Sequence, residues 1–224
     1  MQNFEILETK EQVLLDNDAV AAETRAALKK TGTFFVNLMA SPGAGKTTLL
    51  VRTIQALKDR FRLAVIEADA DGDVDARTIS ALGVPVVQVH TGGSCHMDAG
   101  MTRRGLEAIH AEDYDLVFLE NVGNLVCPAE FDVGQNLRAM ILSTPEGHDK
   151  PLKYPLMFQV SDVFLVNKMD VAPVFGFDLE TFRKNAGMRN PKAEILPLSA
   201  KTGEGFDAWI QYLTVQLQKG RAAE

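Results

Sequence analysis

Length, composition and charge already exclude several classes of protein. The chain has 224 residues, which suits one α/β domain or two small ones. Its hydrophobic content of 46% allows a sizeable core, and its formal net charge of -7 argues against a general nucleic-acid or anionic-membrane binder. No apolar run is long enough to span a bilayer, and the first residues lack the features of a signal peptide. Two cysteines are too few for a disulfide framework, so we expect a cytoplasmic protein with thiols free for metal or redox chemistry.

The first predicted element is an amphipathic helix that runs from Lys10 to about Lys30. Apolar residues recur on one face of it at helical spacing, and a glycine follows the last turn, where helices commonly end. The residues of this face are Val13, Val20 and Ala27, with Leu14, Ala21 and Leu28 beside them. We expect residues 1–32 to form a helical segment that packs on a larger domain, residues 33–224.

Six short apolar runs follow, and each reads as a strand. They are TFFVNLM, LAVIEA, VPVVQV, DLVFLE, DVFLVN and AEILPLS. Helical patterns such as GKTTLLVRTIQALKDR and DAGMTRRGLEAIH lie between them. Alternation of helices with continuously apolar strands predicts an α/β fold, with a doubly wound, mostly parallel sheet covered on both faces.

The stretch ASPGAGKTT, residues 40–48, follows the first predicted strand and opens a helix. That context is the one a P-loop requires, because backbone N–H groups and a helix N-terminus then surround the phosphates. Lys46 should reach the β- and γ-phosphates, and the Thr47 hydroxyl should bind Mg²⁺. Ala40 stands where the motif usually has its first glycine. The expected phosphate contacts are Gly43, Ala44, Gly45, Lys46, Thr47 and Thr48.

Two later stretches predict the base. NKMD, residues 167–170, closes a strand, and SAKTGEG, residues 199–205, follows the last one. An aspartate accepts two hydrogen bonds from guanine that adenine does not offer, so Asp170 favours GTP over ATP. Lys168 should lie along the base, and the Ala200 N–H should bind the guanine O6. The expected guanine contacts are Asn167, Lys168, Asp170, Ser199, Ala200 and Lys201.

Acidic residues between these motifs predict a magnesium site and a switch. Glu120 ends a strand at the edge of the sheet where ligands of doubly wound folds bind, and it can hold Mg²⁺ directly or through water. Gly123 can donate its N–H to the γ-phosphate. In DADGDVDAR we expect Asp75 to reach Mg²⁺ or the attacking water; the alternative is a solvated acidic loop that caps helices. The catalytic candidates are therefore Lys46, Asp75, Glu120 and Gly123.

Both cysteines fall in unusual surroundings. Cys95 precedes His96 in GGSCHMD, and Cys127 lies in ENVGNLVCP. A Cys–His pair with a remote cysteine suits Zn²⁺ or Ni²⁺, although such residues can also simply be buried or cap a helix. Three ligands leave a tetrahedral site open, so a symmetric partner or an exchangeable ligand would complete it.

The stretches SPGAGKTT, GGSCHMDA, ENVGNLVCP, DKPLKYP and NKMD resemble the HypB family, GTPases that help insert nickel into [NiFe]-hydrogenase. The resemblance runs from about residue 10 to the C-terminus. It implies a P-loop GTPase of the SIMIBI class that forms a homodimer with nucleotide. It further implies a nickel or zinc site of Cys95, His96 and Cys127 at the dimer interface. Lys153 matches a lysine that reaches the partner subunit's nucleotide.

The resemblance also implies a function. We expect a GTP-hydrolysing nickel metallochaperone with slow intrinsic turnover to GDP, in which Asp75 and Glu120 are the switch carboxylates. Its partners would be the hydrogenase large subunit and other maturation proteins. Two alternatives stay open: a urease-type accessory GTPase, although its Cys-Pro-His motif is absent, and a non-enzymatic metal carrier that uses GTP only for dimerisation.

Overall fold

The computed structural model describes residues 9–69 and 72–222, along which strands and helices alternate. The strands are β1 (Phe34–Ala40), β2 (Leu63–Asp69), β3 (Val86–His90), β4 (Leu116–Glu120), β5 (Leu137–Ser143), β6 (Val163–Asn167) and β7 (Glu194–Pro197). The helices are α1 (Thr9–Thr31), α2 (Lys46–Leu57), α3 (Val74–Ser80), α4 (Ala99–Ala108), α5 (Cys127–Glu130), α6 (Lys150–Lys153), α7 (Pro155–Val160), α8 (Leu179–Gly187) and α9 (Phe206–Ala222). Short 3₁₀ helices cover Ala111–Asp113, Thr144–Glu146 and Met169–Val171.

Every strand pair within these residues is parallel. The seven described strands form one sheet in the order β3-β2-β4-β1-β5-β6-β7. Strands β2, β3 and β4 lie on one side of β1 and strands β5, β6 and β7 on the other, which confirms the predicted doubly wound α/β fold. Because all the carboxyl ends share one edge, the loops after β1, β2, β4 and β6 meet there.

Side chains that alternate along each strand fill two layers of core. One face of the sheet packs against α2, α3 and α9, where Trp209 is fully buried and donates its indole N–H to Thr53 at 2.9 Å. The opposite face packs against α1, α4, α7 and α8. Along β1, Val36 and Leu38 belong to the first layer, and Phe35 and Met39 to the second. Both faces are buried, and this explains the continuous apolar strands.

Strand β5 was absent from the six predicted runs, yet it lies at the centre of the sheet between β1 and β6. Its sequence, LRAMILS, contains Arg138 and four other residues that favour helices, namely Ala139, Met140 and two leucines. Arg138 is tolerated because its side chain reaches Asp132 at 3.7 Å and its backbone N–H donates to Asp162 at 2.7 Å. Tertiary pairing thus overrides a weak local signal.

Helix α1 begins and ends within one residue of the predicted bounds, and Ala21 and Leu28 of its predicted apolar face are buried. The buried positions are Asn17, Ala21, Thr24 and Leu28, whereas Val13 is 54% exposed. The helix ends as predicted, because Gly32 has φ +71° and its N–H donates to the Lys29 carbonyl at 3.2 Å. Within residues 9–69 and 72–222, no helix is both long and apolar enough to cross a bilayer.

Candidate nucleotide and metal site

The loop between β1 and α2 has the backbone of a phosphate cradle. Gly43 and Gly45 have φ values of +74° and +96°, in the left-handed region that favours glycine. A Cβ on Gly45 would lie 2.6 Å from Nδ2 of Asn167, so any side chain there would clash. Helix α2 starts directly afterwards at Lys46, and its first N–H groups face the same edge of the sheet.

Five of the six residues predicted to bind guanine, all except Ser199, line a pocket of about 330 Å³ beside this loop. Asp170 lies on the 3₁₀ helix after β6 and is exposed at the pocket. The structure thus brings both guanine motifs and the P-loop together. The lining residues are Gly45, Thr48, Asn167, Lys168, Asp170, Val171, Ala200 and Lys201.

Asn167 and Lys168 join the base and phosphate loops. The Asn167 amide donates to the Ala44 carbonyl at 2.9 Å, and Lys168 Nζ donates to the Gly43 carbonyl at 2.7 Å. The Ala200 N–H, which we assigned to the guanine O6, donates here to Asn167 Oδ1 at 2.9 Å. In this structure Ala200 therefore orients Asn167, and its contact with guanine stays a prediction.

A residue that sequence reasoning missed supports the loop of residues 199–205, the second predicted guanine motif. Arg52 on α2 donates to the carbonyl oxygens of Ala200 and Lys201 at 2.8 and 3.0 Å. Ser199 is fully buried, and its hydroxyl accepts the Thr202 N–H at 3.1 Å. Ser199 therefore stabilises the conformation of this loop and is not exposed to a ligand. No motif marks Arg52, because its partners are backbone groups about 150 residues away in the chain.

The predicted magnesium ligands Thr47 and Glu120 are in contact. The Thr47 hydroxyl donates to Glu120 Oε1 at 2.7 Å, and Glu120 is only 2% exposed. Its second oxygen, Oε2, is buried and has no hydrogen-bond partner in the described part of the chain. Burial raises the pKa of Glu120 to about 7, although the Thr47 hydrogen bond and the charge of Lys46 oppose the shift.

Sequence reasoning also missed Glu67, which stands beside Glu120. Glu67 on β2 is the direct cross-strand partner of Glu120 on β4, and it is 3% exposed. Burial, followed by the negative charges of Glu120, Asp69 and Asp75, raises the pKa of Glu67 to about 8. Glu67 sits inside an apolar run of the sequence, and only strand pairing reveals its neighbour.

The aspartates after β2 divide into different roles. Asp73 occupies the N-cap position of α3 and pairs with Arg77 at 2.6 Å, as the solvated-loop alternative expects. Asp71 lies outside the described residues. Asp75, in the first turn of α3, is close enough to raise the pKa values of both Glu67 and Glu120. The geometry is compatible with Asp75 as the switch aspartate.

The cysteines and His96 come together as predicted. One donor atom each from Cys95, His96 and Cys127 lies within 4.8 Å of the others, and the two sulfur atoms are 2.8 Å apart. The His96 ring stacks on Phe131 at 4.0 Å. Burial lowers the pKa of His96, which favours the neutral imidazole that metals bind. Borderline nitrogen and soft sulfur donors suit Ni²⁺ or Zn²⁺.

Comparison with known proteins identifies the family of this chain. The nucleotide-binding domain of the CobW/HypB/UreG family matches residues 34–197. Hydrogenase maturation factor HypB of Azotobacter chroococcum is 46% identical over 94% of this chain and 69% of its own length. The chain belongs to the HypB family.

Solved HypB structures have the same fold. The crystal structure from Archaeoglobus fulgidus gives a TM-score of 0.85 at 37% identity and covers 91% of this chain and 100% of that one. The structure from Helicobacter pylori in complex with nickel gives 0.86 at 33% identity, with 92% and 97% covered.

In this HypB-family chain, hydrogen bonds connect the segment after β4 to the metal cluster. Asn121 is 1% exposed, and its Oδ1 accepts the backbone N–H groups of Met97 at 3.2 Å and Val122 at 2.9 Å. Its Nδ2 donates to Asn37 Oδ1 at 3.2 Å. Met97 directly follows His96, and Asn121 directly follows Glu120. The hydrogen bond from Met97 to Asn121 therefore joins the loop that carries Cys95 and His96 to the end of β4. Sequence reasoning did not single out Asn121.

Gly123 packs against the P-loop. A Cβ added there would lie 3.1 Å from the backbone N and Cα of Pro42, so the close approach requires glycine. The segment that carries Glu120, Gly123 and Cys127 therefore touches the predicted phosphate loop at one end and the metal cluster at the other.

Helix α1 holds both segments that supply the metal donors. Asn17 donates to the Asp132 carbonyl at 2.8 Å and accepts the Ala99 N–H at 2.8 Å. Arg25 Nη2 donates to both carboxylate oxygens of Asp132, each at 2.7 Å. Ala99 lies just after the Cys–His pair and Asp132 just after α5, so α1 fixes the spacing of the two ligand segments.

Lys153 lies at the surface of α6, where it pairs with Asp149 at 2.6 Å and is 60% exposed. Its contacts within the described chain do not include the nucleotide loop. The segment just before α6 does contact the P-loop, because the Ser41 hydroxyl donates to one carboxylate oxygen of Glu146. The other oxygen of Glu146 caps the 3₁₀ helix that follows β5.

Proposed function

We propose that this protein hydrolyses GTP and delivers nickel during the maturation of [NiFe]-hydrogenase. One observation carries the proposal: the backbone N–H of Met97, which directly follows His96 of the Cys95–His96–Cys127 cluster, donates to Asn121, the residue that directly follows Glu120. A metal carrier that used its nucleotide only for dimerisation would not need such a connection. HypB relatives named as hydrogenase maturation factors, and a HypB solved with nickel, support the choice of cargo.

Guanine recognition would rest on the pocket beside the P-loop. Asp170 is exposed there and can accept two hydrogen bonds from guanine, while Lys168 flanks the base and Lys46 binds the β- and γ-phosphates. Adenine would leave the carboxylate without donors, which disfavours ATP. GTP is therefore the substrate, and GDP the product.

The donor set fits Mg²⁺. The Thr47 hydroxyl gives its hydrogen to Glu120 and keeps two lone pairs for a cation, and the buried Oε2 of Glu120 has no partner among the described residues. Mg²⁺ prefers such oxygen ligands and would neutralise charge on the β- and γ-phosphates. Asp75 would complete the acidic shell, and Gly123 would contact the γ-phosphate.

The metal cargo would bind between two subunits. Cys95, His96 and Cys127 supply three donors on a partly exposed surface, so a second copy of the chain can complete the coordination of Ni²⁺ or Zn²⁺. We propose a GTP-dependent homodimer in which Lys153 reaches the partner's nucleotide. The 60% exposure of Lys153 leaves it accessible for that contact.

We further propose that residues 1–32 act as an accessory segment of a GTPase domain that spans residues 33–224. Asn17 and Arg25 of α1 tie down the two segments that carry the metal donors. The protein would work in the cytoplasm with the hydrogenase large subunit and other maturation proteins.

Metal titrations in both nucleotide states test the proposal. Nickel and zinc affinities are measured by calorimetry for wild type and Cys127→Ala, with GDP and with a non-hydrolysable GTP analogue. We expect a coupling of about 1–3 kcal/mol in wild type, seen as a roughly 5- to 150-fold difference in metal affinity. Cys127→Ala should erase the difference and leave GTP binding intact.

Single-turnover phosphate release separates an enzyme from a carrier. We expect slow but measurable hydrolysis, well below about 1 per second without a partner. Lys46→Ala should abolish it. Metal affinities that agree in the two nucleotide states, or the absence of phosphate release, would contradict the proposed function.

A further inference from the structure

Arg52 lies on α2, about one helical turn after Thr48, which lines the pocket assigned to guanine. Its side chain is half-buried and donates to the carbonyl oxygens of Ala200 and Lys201 at 2.8 and 3.0 Å. Ala200 and Lys201 belong to the lining of the pocket, whereas Arg52 lies outside that lining. The guanidinium group therefore holds the loop of residues 199–205 from the side away from the base.

The loop encloses the guanidinium group closely. A Cβ added at Gly203 would lie 2.5 Å from Nη1 of Arg52. Cζ of Arg52 also lies 5.6 Å from the centroid of the buried Phe206 ring, close enough for a cation–π interaction. Arginine suits this place because its planar group offers several donors in fixed directions, and so it can bind two carbonyl oxygens at once. Arg52 thus connects the P-loop helix to this loop and to the start of α9.

Peptide geometry determines what these hydrogen bonds do inside the pocket. The carbonyl of Ala200 and the N–H of Lys201 belong to one trans peptide unit, in which the two groups point in opposite directions. A carbonyl held by Arg52 on one side therefore directs the Lys201 N–H to the other side. That N–H donates to no group within residues 9–69 and 72–222, while the Ala200 N–H is bonded to Asn167 at 2.9 Å. The Lys201 N–H thus remains available to a base in the pocket.

We propose that Arg52 is a positioning residue for base recognition, which directs the Lys201 N–H at the carbonyl oxygen O6 of guanine. Without Arg52 this peptide unit is free to rotate, and the N–H loses its direction. The inference rests on the proposed function, because it requires a guanine nucleotide in this pocket. Arg52 and Asp170 then have separate tasks: Arg52 acts on O6 through the loop, whereas Asp170 accepts hydrogen bonds from N1–H and the 2-amino group.

Guanine analogues separate these two tasks. In 6-thio-GDP sulfur, a weaker acceptor, replaces O6, and IDP lacks the 2-amino group that Asp170 would bind. The affinities of GDP, 6-thio-GDP, IDP and ADP are measured by displacement of a fluorescent GDP analogue. We expect Arg52→Met to lower the affinity for GDP about tenfold and to leave that for 6-thio-GDP nearly unchanged, so that the preference for O6 is lost. The ratio of GDP affinity to IDP affinity should stay that of wild type.

Two more variants make the test specific. Arg52→Lys keeps a charged donor but not the fork that spans two carbonyl oxygens, so GDP affinity should fall about threefold, again with little change for 6-thio-GDP. If thermal melts show that Arg52→Met does not fold, Arg52→Lys decides in the same way. Lys58→Met is the matched control, because Lys58 lies at the other end of α2 and also donates to a backbone carbonyl, that of Leu82 at 3.2 Å. Its four affinities should stay at the wild-type values.

Three results in the folded Arg52 variants would overturn the inference. They are an unchanged GDP affinity, an equal loss of affinity for all four nucleotides, and a fall in the preference for GDP over IDP. An equal loss of GDP affinity in Lys58→Met would also overturn it, because removal of a positive charge would then account for the effect. A wild type that binds ADP as tightly as GDP would instead contradict the guanine pocket of the proposed function, and this inference with it.

Discussion

Replacement of Asn121 by alanine should uncouple the metal cluster from the nucleotide. The Asn121 side chain makes three hydrogen bonds, to Met97, Val122 and Asn37, at 2.9–3.2 Å. It joins the residue after His96 to the segment that begins at Glu120. Alanine removes all three bonds and leaves the backbone of both segments free to move separately.

The size of the effect follows from these contacts. Asn121 is 1% exposed, so its removal leaves two backbone N–H groups and one amide oxygen without partners. At about 1 kcal/mol or somewhat more for each, the free energy of unfolding should fall by about 3–5 kcal/mol. The nucleotide-dependent difference in metal affinity should shrink from the expected 5- to 150-fold to about threefold or less.

The assay is a metal titration of the variant in GDP and in a non-hydrolysable GTP analogue, with chemical unfolding in parallel. Asn190→Ala is a matched control, because Asn190 also makes three side-chain hydrogen bonds, to Ser161, Gln159 and Lys192. Asn190 lies just before β7, near the amino ends of the strands, whereas the nucleotide site lies at their carboxyl ends. The control should lose stability but keep the coupling.

The result that would refute this reasoning is a folded Asn121→Ala protein with wild-type coupling. In that case the two sites would communicate through Cys127 or the dimer alone. Equal loss of coupling in Asn190→Ala would show instead that any destabilisation of the fold uncouples the sites.

Three further predictions concern the predicted switch, the base and pH. Gly123→Ala should slow single-turnover phosphate release on the order of tenfold while nucleotide still binds, because the new Cβ meets Pro42 at 3.1 Å; an unchanged rate would argue against a role for this contact. Asp170→Asn should cost on the order of 3 kcal/mol of GTP affinity by loss of charged hydrogen bonds, measured by competition, and equal competition by ATP in wild type would contradict it. The hydrogen bond from Arg62 lowers the pKa of Asp115 to about 2, below its ordinary value, so this stabilisation is present above about pH 4 and is lost as the pH falls toward 2. Asp115→Asn should therefore reduce the free energy of unfolding by about 1–2 kcal/mol at neutral pH and by less at pH 3, and a constant difference would count against the ion pair.

The fold class was predictable because its strands are buried on both faces. Continuous apolar runs marked six of the seven described strands, and helical patterns between them implied parallel pairing. The missing strand, β5, carries Arg138, whose partners Asp132 and Asp162 lie outside the strand and are brought to it only by the fold. The polar residues on the buried face of α1 were missed for a related reason. Asn17 is buried there because Asp132 and Ala99 satisfy its amide, and neither contact has a local signal.

The candidate site was predictable wherever backbone conformation or ligand chemistry restricts the residue type. Gly45 must be glycine beside Asn167, and the Cys95–His96 pair with Cys127 is an unusual combination in a chain with two cysteines. Residues that act by supporting others left no such mark. Glu67 lies inside an apolar strand, and Arg52 binds backbone carbonyls about 150 residues away, so only the folded structure reveals their partners.

The end of β4 explains how one short segment can serve two sites. Successive side chains of an extended backbone point to opposite faces of a sheet. Glu120 therefore faces α2 and Thr47, while Asn121 faces the opposite layer and receives the Met97 N–H. The Asn121 N–H donates to the Leu38 carbonyl at 3.1 Å, which anchors this point to the central strand. A backbone rotation that moves Glu120 when the γ-phosphate leaves must also move Asn121, and hence the loop that carries His96. Two arrangements of this anchored segment would be enough to couple nucleotide and metal without any larger rearrangement of the domain.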